Sequence, residues 1–168
     1  YVTNFVEMGS RVSSGALDDR IACAAVVEAF RTMQNVHDVY AVFTVQEEVG
    51  LRGAGAAAYA IEPDLNISLD VTGTGDTPKC GRMSVKLGAG ATVKVMDSSV
   101  IVPPVVRAFL VEAADEKNIR WQPEVLRAGG TDTGAVQRTR GGILSGCISI
   151  PTRYIHSPVE TADMGDYE

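Results

Sequence analysis

The chain has 168 residues, 45% of them hydrophobic and 21% charged, which is enough for one domain with a real core and too short to promise two. Its 15 Lys and Arg stand against 21 Asp and Glu, a net charge of -6, and no stretch gathers enough basic side chains to neutralise a phosphate backbone; nucleic acid is not expected as a partner. No run approaches the roughly 20 apolar residues of a membrane span, and residues 1–11 lack a basic region followed by an apolar one, so neither membrane insertion nor export is expected.

Residues 19–33 are rich in Ala and apolar on most of their circumference, with Arg20, Glu28 and Arg31 as charged exceptions, and predict a largely buried helix. Residues 39–46 are dense in β-branched and aromatic side chains and predict a strand covered on both faces, running into Glu47-Glu48-Val49-Gly50. Residues 51–61 form Ala-rich helical turns stopped by Pro63, with Gly53 and Gly55 allowing close packing. Residues 65–71 predict a second short strand, ending in Asp70. Helix, strand, helix, strand with short connections is the pattern of an α/β domain with a mainly parallel sheet, where ligands bind beyond the carboxyl ends of strands. Glu47, Glu48 and Asp70 all sit at such ends.

Further along, residues 83–87 and 91–96 predict two strands around Gly88-Ala89-Gly90, and Pro103-Pro104 opens a helix reaching about Asn118. Gly129-Gly130-Thr131-Asp132 introduces a short helix, residues 143–150 predict the last clear strand, and another helix begins near Asp166. There is no internal repeat. Cys23, Cys80 and Cys147 are odd in number and form no Cys-x-x-Cys pair, which argues against a disulfide framework or a thiolate zinc site. Three buried thiols in a reducing cytoplasm are expected.

Four segments place ionisable groups at the edges of apolar elements: 16–20 with Asp18, 46–50 with Glu47 and Glu48, 68–72 with Asp70, and 154–158 with His156. Each has an ordinary reading alone. Asp18 fits a helix N-cap, Asp70 a solvated strand end, and His156 a structural loop residue. Together they are the carboxylate and imidazole ligands that a catalytic zinc, cobalt or manganese site uses. A carboxylate such as Asp18 can bridge two ions through its two oxygens. Adjacent residues at a strand end project in different directions, so one of Glu47 and Glu48 can bind metal while the other meets an activated water.

The segments Ala-Leu-Asp-Asp-Arg (16–20), Gln-Glu-Glu-Val-Gly (46–50), Leu-Asp-Val-Thr (69–72), Gly-Gly-Thr-Asp-Thr-Gly (129–134) and Ile-Pro-Thr-Arg-Tyr-Ile-His-Ser-Pro-Val-Glu (150–160) resemble, in order and spacing, the M42 aminopeptidases, which include the tetrahedral aminopeptidases and proteins labelled endoglucanase M. The resemblance implies a three-layer α/β/α domain with a mainly parallel sheet. It implies Asp18 as the carboxylate bridging two ions, Glu48 and His156 as further ligands of one, Asp70 as a ligand of the other, and Glu47 as general base. It also implies a cis peptide between Asp18 and Asp19. Asp132 has a place near the substrate by resemblance, and an ordinary reading as a helix cap, which is preferred.

In the family a further His ligand lies in a His-x-Asp motif upstream of the bridging Asp, with a dimerisation domain inserted between them. This sequence holds only His37 and His156, and His37, between a predicted helix and strand, reads as a surface residue. Residues 1–168 are therefore expected to be a catalytic-domain fragment without the upstream His-x-Asp segment, the dimerisation domain or a complete final helix.

The intact family subunit carries two divalent ions (Zn, Co or Mn); this chain is expected to hold one or none and to be poorly active. The implied reaction releases N-terminal residues from short peptides in the cytoplasm, by a homo-oligomeric enzyme. Glu47 takes a proton from an activated water and returns it to the leaving amine. The rival reading is glycoside hydrolysis, which needs carboxyls about 5 to 9 Å apart facing each other across the bond, a poor match for adjacent glutamates. A third reading is an inactive fold or assembly module.

Overall fold

The computed structural model describes residues 4–34 and 36–168. The elements in chain order are β1 (Val6–Met8), β2 (Arg11–Ser14), α1 (Leu17–Thr32), α2 (Arg52–Ile61), β3 (Leu65–Thr72), β4 (Ala91–Met96), α3 (Pro104–Glu116), β5 (Trp121–Val125), α4 (Asp132–Gln137), β6 (Leu144–Arg153), β7 (Glu160–Asp163) and α5 (Met164–Tyr167). They build the expected three-layer α/β/α domain. Its seven-stranded sheet is mixed, in the order β1-β2-β7-β6-β4-β5, with β3 on the other side of β6.

The two longest ladders are parallel, β3 with β6 from Leu65↔Leu144 to Thr72↔Pro151, and β4 with β5. Antiparallel pairs join β4 to β6, β6 to β7, β7 to β2 and β2 to β1. β6 buries consecutive side chains, on both faces, along nearly its whole length and serves as the spine. Because β3 and β6 run the same way, their carboxyl ends open on one side of the sheet, carrying Asp70 and the segment after Arg153 toward each other.

One core cluster joins Leu17 and Ile21 of α1 to Val12, Val71, Ile150 and Ala162 of the sheet; a second joins Ala54 and Ala58 of α2 to Val136 and Ile143. On the face of β6 that carries Ile150, Gly146 leaves room for α3: an added Cβ would lie 2.7 Å from Val106 and 3.1 Å from Leu110. Asp18 and Asp19 have non-helical backbone angles, so the regular turns of α1 start after them.

Three expectations are corrected. Residues 39–46 are not a covered strand: they belong to no ladder, and Tyr40, Phe43 and Val45 are exposed. β-rich composition selects an extended backbone, but a strand also needs a neighbour, and none of the described residues supplies one. The same holds for α1, expected to be largely buried, where only Leu17, Ile21 and Ala22 are buried and Val27 and Phe30 face out. Residues 83–87 form no strand because their polar backbone groups are taken elsewhere. The Lys86 and Leu87 amides donate to the side chains of Gln122 and Asp76, and the Val85 carbonyl accepts from Gly75 N–H.

Gly53 and Gly55 separate cleanly. A Cβ on Gly53 would lie 2.6 Å from the backbone N and O of Val45, whereas one on Gly55 meets nothing closer than 3.9 Å. Gly53→Ala should therefore destabilise the chain by about 1–3 kcal/mol through overpacking. Gly55→Ala should be neutral or stabilising by up to about 1 kcal/mol. Urea melts of the two variants check this; equal losses would show that the approach of Val45 to α2 does not depend on Gly53.

Candidate active site

Asp18 stands two residues into α1, just past the bend at Ala16, and its side chain is largely buried. Glu47 and Glu48 occupy the turn that ends the extended segment, closed by Gly50 N–H and Leu51 N–H donating to the Glu47 carbonyl. Asp70 comes from the end of β3, its Oδ1 accepting from the Val71 amide at 2.7 Å. His156 lies beyond β6. The bends at Ala16, Gln46, Tyr154 and His156 all take positive φ, of 57°, 60°, 59° and 63°. For non-glycine residues this costs about 1–3 kcal/mol each and is tolerated where the surroundings hold it.

All of the metal-ligand candidates converge. His156 Nε2 lies 3.1 Å from Asp18 Oδ2 and 3.2 Å from Glu48 Oε2. Donor atoms of Asp18, Glu48 and His156 all fall within 4.8 Å of one another, and so do those of Asp18, Asp19 and Asp70. Asp18 belongs to both clusters. The peptide bond between Asp18 and Asp19 is cis. Glu47 adjoins the first cluster, close enough for Glu48 and Asp18 to act on its charge.

Electrostatics shows what this packing costs. Burial first, then the charges of neighbouring carboxylates, raise Asp18 to about 6, Glu47 to about 7 and Asp19 to about 9. Burial raises Asp70 to about 8 against the opposing hydrogen bond from Val71. Asp19 Oδ1 is buried without a hydrogen-bond partner. Carboxylates that repel one another around an unpartnered oxygen are the donor set a divalent cation relieves, so the residues fit the metal that the resemblance implies.

Asp19 was legible only as the residue after the cis bond; the third carboxylate of its cluster comes from packing. Asp132 is not a cap. Thr131 holds the N-cap position of α4, while the Asp132 carboxylate accepts from the Thr44 hydroxyl and leaves Oδ1 buried and unpartnered. Asp18 is not a cap either, since Ala16 occupies that position. His37 is exposed, as expected. Of the three cysteines only Cys147 is buried, its thiol pushed up to about 12 by burial; Cys23 and Cys80 are half-buried, a correction to the expectation of three buried thiols.

Folded-state values above the unfolded value of about 4 mean that the folded chain keeps protons the unfolded chain has released. The stability contributed is complete below that unfolded value and is lost as pH rises through the folded values near 6 to 9. In chelator the melting temperature should fall between pH 5 and pH 8.5, and a divalent ion should restore it at the alkaline end. Asp70→Asn should flatten the slope. A melting temperature that holds or rises over this range in chelator would contradict the assignment of the cluster.

The sequence profile of the M42 glutamyl aminopeptidases matches residues 1–168. The chain is 54% identical over 167 residues to a protein of Acetivibrio thermocellus, an aminopeptidase by provisional description, covering 99% of this chain and 51% of that protein. It is 39% identical to the lysyl aminopeptidase of Pyrococcus furiosus, covering 100% of this chain and 49% of the relative. Among solved structures it superposes on an aminopeptidase from the archaeon Desulfurococcus kamchatkensis with a TM-score of 0.92 at 40% identity, covering 98% of this chain and 48% of that one. The chain thus spans about half the length of the relatives it matches. With the profile matched from end to end and the fold shared with a solved aminopeptidase, the chain belongs to the M42 aminopeptidase family.

Proposed function

We propose that these residues are the base-bearing and principal ligand-bearing part of a dinuclear metallo-aminopeptidase that releases N-terminal residues from short peptides. The observation that carries this reading is that Asp18 is shared by two clusters, with Glu48 and His156 on one side and Asp19 and Asp70 on the other. A residue common to two donor sets is what bridging requires. Asp18, Glu48 and His156 would hold one divalent ion, and Asp18 with Asp70 the other, Asp19 adding a carboxylate that sequence reasoning did not include. Zinc, cobalt and manganese all suit such donors. When bound, the ions supply Lewis acidity toward water and toward the peptide carbonyl.

Glu47 accepts a proton from the attacking water on a carboxylate oxygen and donates it to the leaving amine. Its half-buried place beside Glu48 suits it to both protonation states. Asp132, half-buried near Glu47 and held by Thr44, adds to the negative charge of the same site. Glycoside hydrolysis is not favoured, because Glu48 turns to Asp18 and His156 rather than facing Glu47 across a gap.

The half of the relatives outside this alignment is proposed to supply the upstream imidazole, a neighbour for residues 39–46, and the contacts of a homo-oligomer. The open edge of β3, which pairs only with β6 among the described residues, supports the need for such a neighbour. Cytoplasmic location is part of the same reading, supported by three unpaired cysteines. No helix among the described residues is long and apolar enough to cross a membrane.

In a polypeptide of the relatives' full length, Glu47→Gln should keep metal affinity within about threefold and lower turnover of an aminoacyl-p-nitroanilide by about 100-fold or more. Glu48→Gln should instead weaken metal binding. Equal metal loss in both variants, measured by calorimetry, would contradict the division of roles, and turnover of carboxymethylcellulose in place of the anilide would favour the glycosidase reading.

The 168-residue chain by itself should bind one Co(II) tightly at Asp18, Glu48 and His156, and a second more weakly, since the other cluster offers oxygen donors only. Two equally tight ions, or robust anilide turnover by this chain, would show that Asp19 takes the place of the missing imidazole.

A further inference from the structure

Glu160 is among the largest fully buried side chains of the domain, 2% exposed at the start of β7, and the chemistry described above does not use it. Its two oxygens are both engaged. Oε2 accepts the Asp18 backbone N–H at 3.0 Å, and Oε1 accepts the His156 backbone N–H at 2.8 Å. One carboxylate thus ties together the main chains of two residues that meet in the Asp18, Glu48 and His156 cluster. They come from opposite ends of the chain, one after β2 and one after β6. Glu160 itself is fixed by the ladder that pairs it with Ser14.

No basic side chain lies within ion-pair distance of Glu160 among the described residues. A buried carboxylate held only by amides is costly, and it adds negative charge beside Asp18 instead of relieving it. A purely structural staple would be better built from a neutral side chain. The arrangement is economical if the loops it joins also carry a cation.

We propose that Glu160 is a positioning residue for the cation site: it locks the backbones of Asp18 and His156 at one spacing and thereby aims their side chains at a common ion. This rests on the reading of Asp18, Glu48 and His156 as a divalent-cation site. Asp166 provides a matched control. It is 3% exposed and accepts two backbone amides, Gly88 N–H and Gly90 N–H, both at 2.6 Å, in a turn that carries no ligand candidate.

The test is a Co(II) titration of the chelator-cleared 168-residue chain, read by visible absorption, with metal-free melting temperatures measured for every variant. Glu160→Gln removes one acceptor and the charge; Glu160→Asp keeps the charge but withdraws the carboxylate by one methylene. Both should bind Co(II) about 10- to 100-fold more weakly, with altered band shape. Asp166→Asn should lose comparable thermal stability yet keep the wild-type spectrum and affinity within about threefold.

Wild-type affinity and spectrum in either Glu160 variant overturns the proposal, Glu160→Asp in particular showing that charge and not placement matters. So does an equal affinity loss in Asp166→Asn, or failure of both Glu160 variants to fold while Asp166→Asn folds, either of which makes Glu160 a fold staple. Absence of Co(II) binding by the wild-type chain overturns the cation-site reading itself.

Discussion

Five carboxylates, from Asp18, Asp19, Glu47, Glu48 and Asp70, crowd into two clusters that share Asp18, with the imidazole of His156 in one of them, and their mutual repulsion is the constraint to which the surrounding structure answers. Two charges about 4 Å apart at the dielectric of a protein surface interact by about 4 kcal/mol, so the group cannot be fully ionised and dry without a countercharge. In the protein alone the answer is proton retention, seen in the raised values of Asp18, Asp19, Glu47 and Asp70. A divalent cation answers the same demand more completely, because one ion satisfies several carboxylates at once. The same repulsion that makes the cluster a burden to the folded chain is what a bound cation would relieve.

Such a cluster holds its shape only if the backbone beneath it is stiff. The parallel register of β3 on β6 sets Asp70 opposite Ser149, so its approach to the segment after β6 follows from the ladder. Arg153, the last residue of β6, is pinned by a two-pronged pair with Asp76, Nε to Oδ1 at 3.0 Å and Nη2 to Oδ2 at 2.9 Å. The Arg153 guanidinium holds the Asp76 carboxyl well below its ordinary range, which favours the ionised pair. The chain therefore leaves β6 in a fixed direction before bending through Tyr154 to His156.

Local pattern was a good guide where an element satisfies itself. The helix over 52–61, the strands over 65–72 and 91–96, and the helix after Pro103 all fall where periodicity and Pro place them, because their main hydrogen bonds are internal or made with an adjacent strand. It was a poor guide where the outcome depends on a distant partner. Residues 39–46 have strand composition without a strand beside them, and residues 83–87 give their amides to Gln122 and Asp76. β5 went unread because Pro123 interrupts it, which an edge strand tolerates. Of the site, every ligand candidate was legible through motif spacing, since each lies at an element's end. Asp19 was not read as site-facing, and Asp132 was given a place near the substrate by resemblance but read by preference as a cap, because which way a side chain points after folding is written in neither composition nor spacing.

Below the site, the polar interior has a logic of its own. Thr72, two residues past Asp70, donates to Glu124, which also accepts from Thr92 and from the ammonium of Lys94. Lys94 lies 3.6 Å from Asp97, and Asp97 accepts from the hydroxyls of Thr131 and Ser99. The side chains of Lys94 and Asp97 are fully buried, and the whole of Glu124 is inaccessible. Burial works against the Lys94 charge, but the Glu124 and Asp97 carboxylates beside it hold its value above the ordinary one. One path of hydrogen bonds, closed by the Lys94–Asp97 ion pair, therefore runs from the end of the Asp70 strand to the start of the helix that carries Asp132, with a cation at its centre that opposes the rise of Asp70. Removing any single member would strand its partners in a dry interior, whereas an apolar substitute for the whole set would lose only the geometry. The network's contribution is thus specificity of arrangement more than net stability. It fixes where two walls of an acid-rich site stand, and it places beneath them the buried ammonium of Lys94, which opposes their charge.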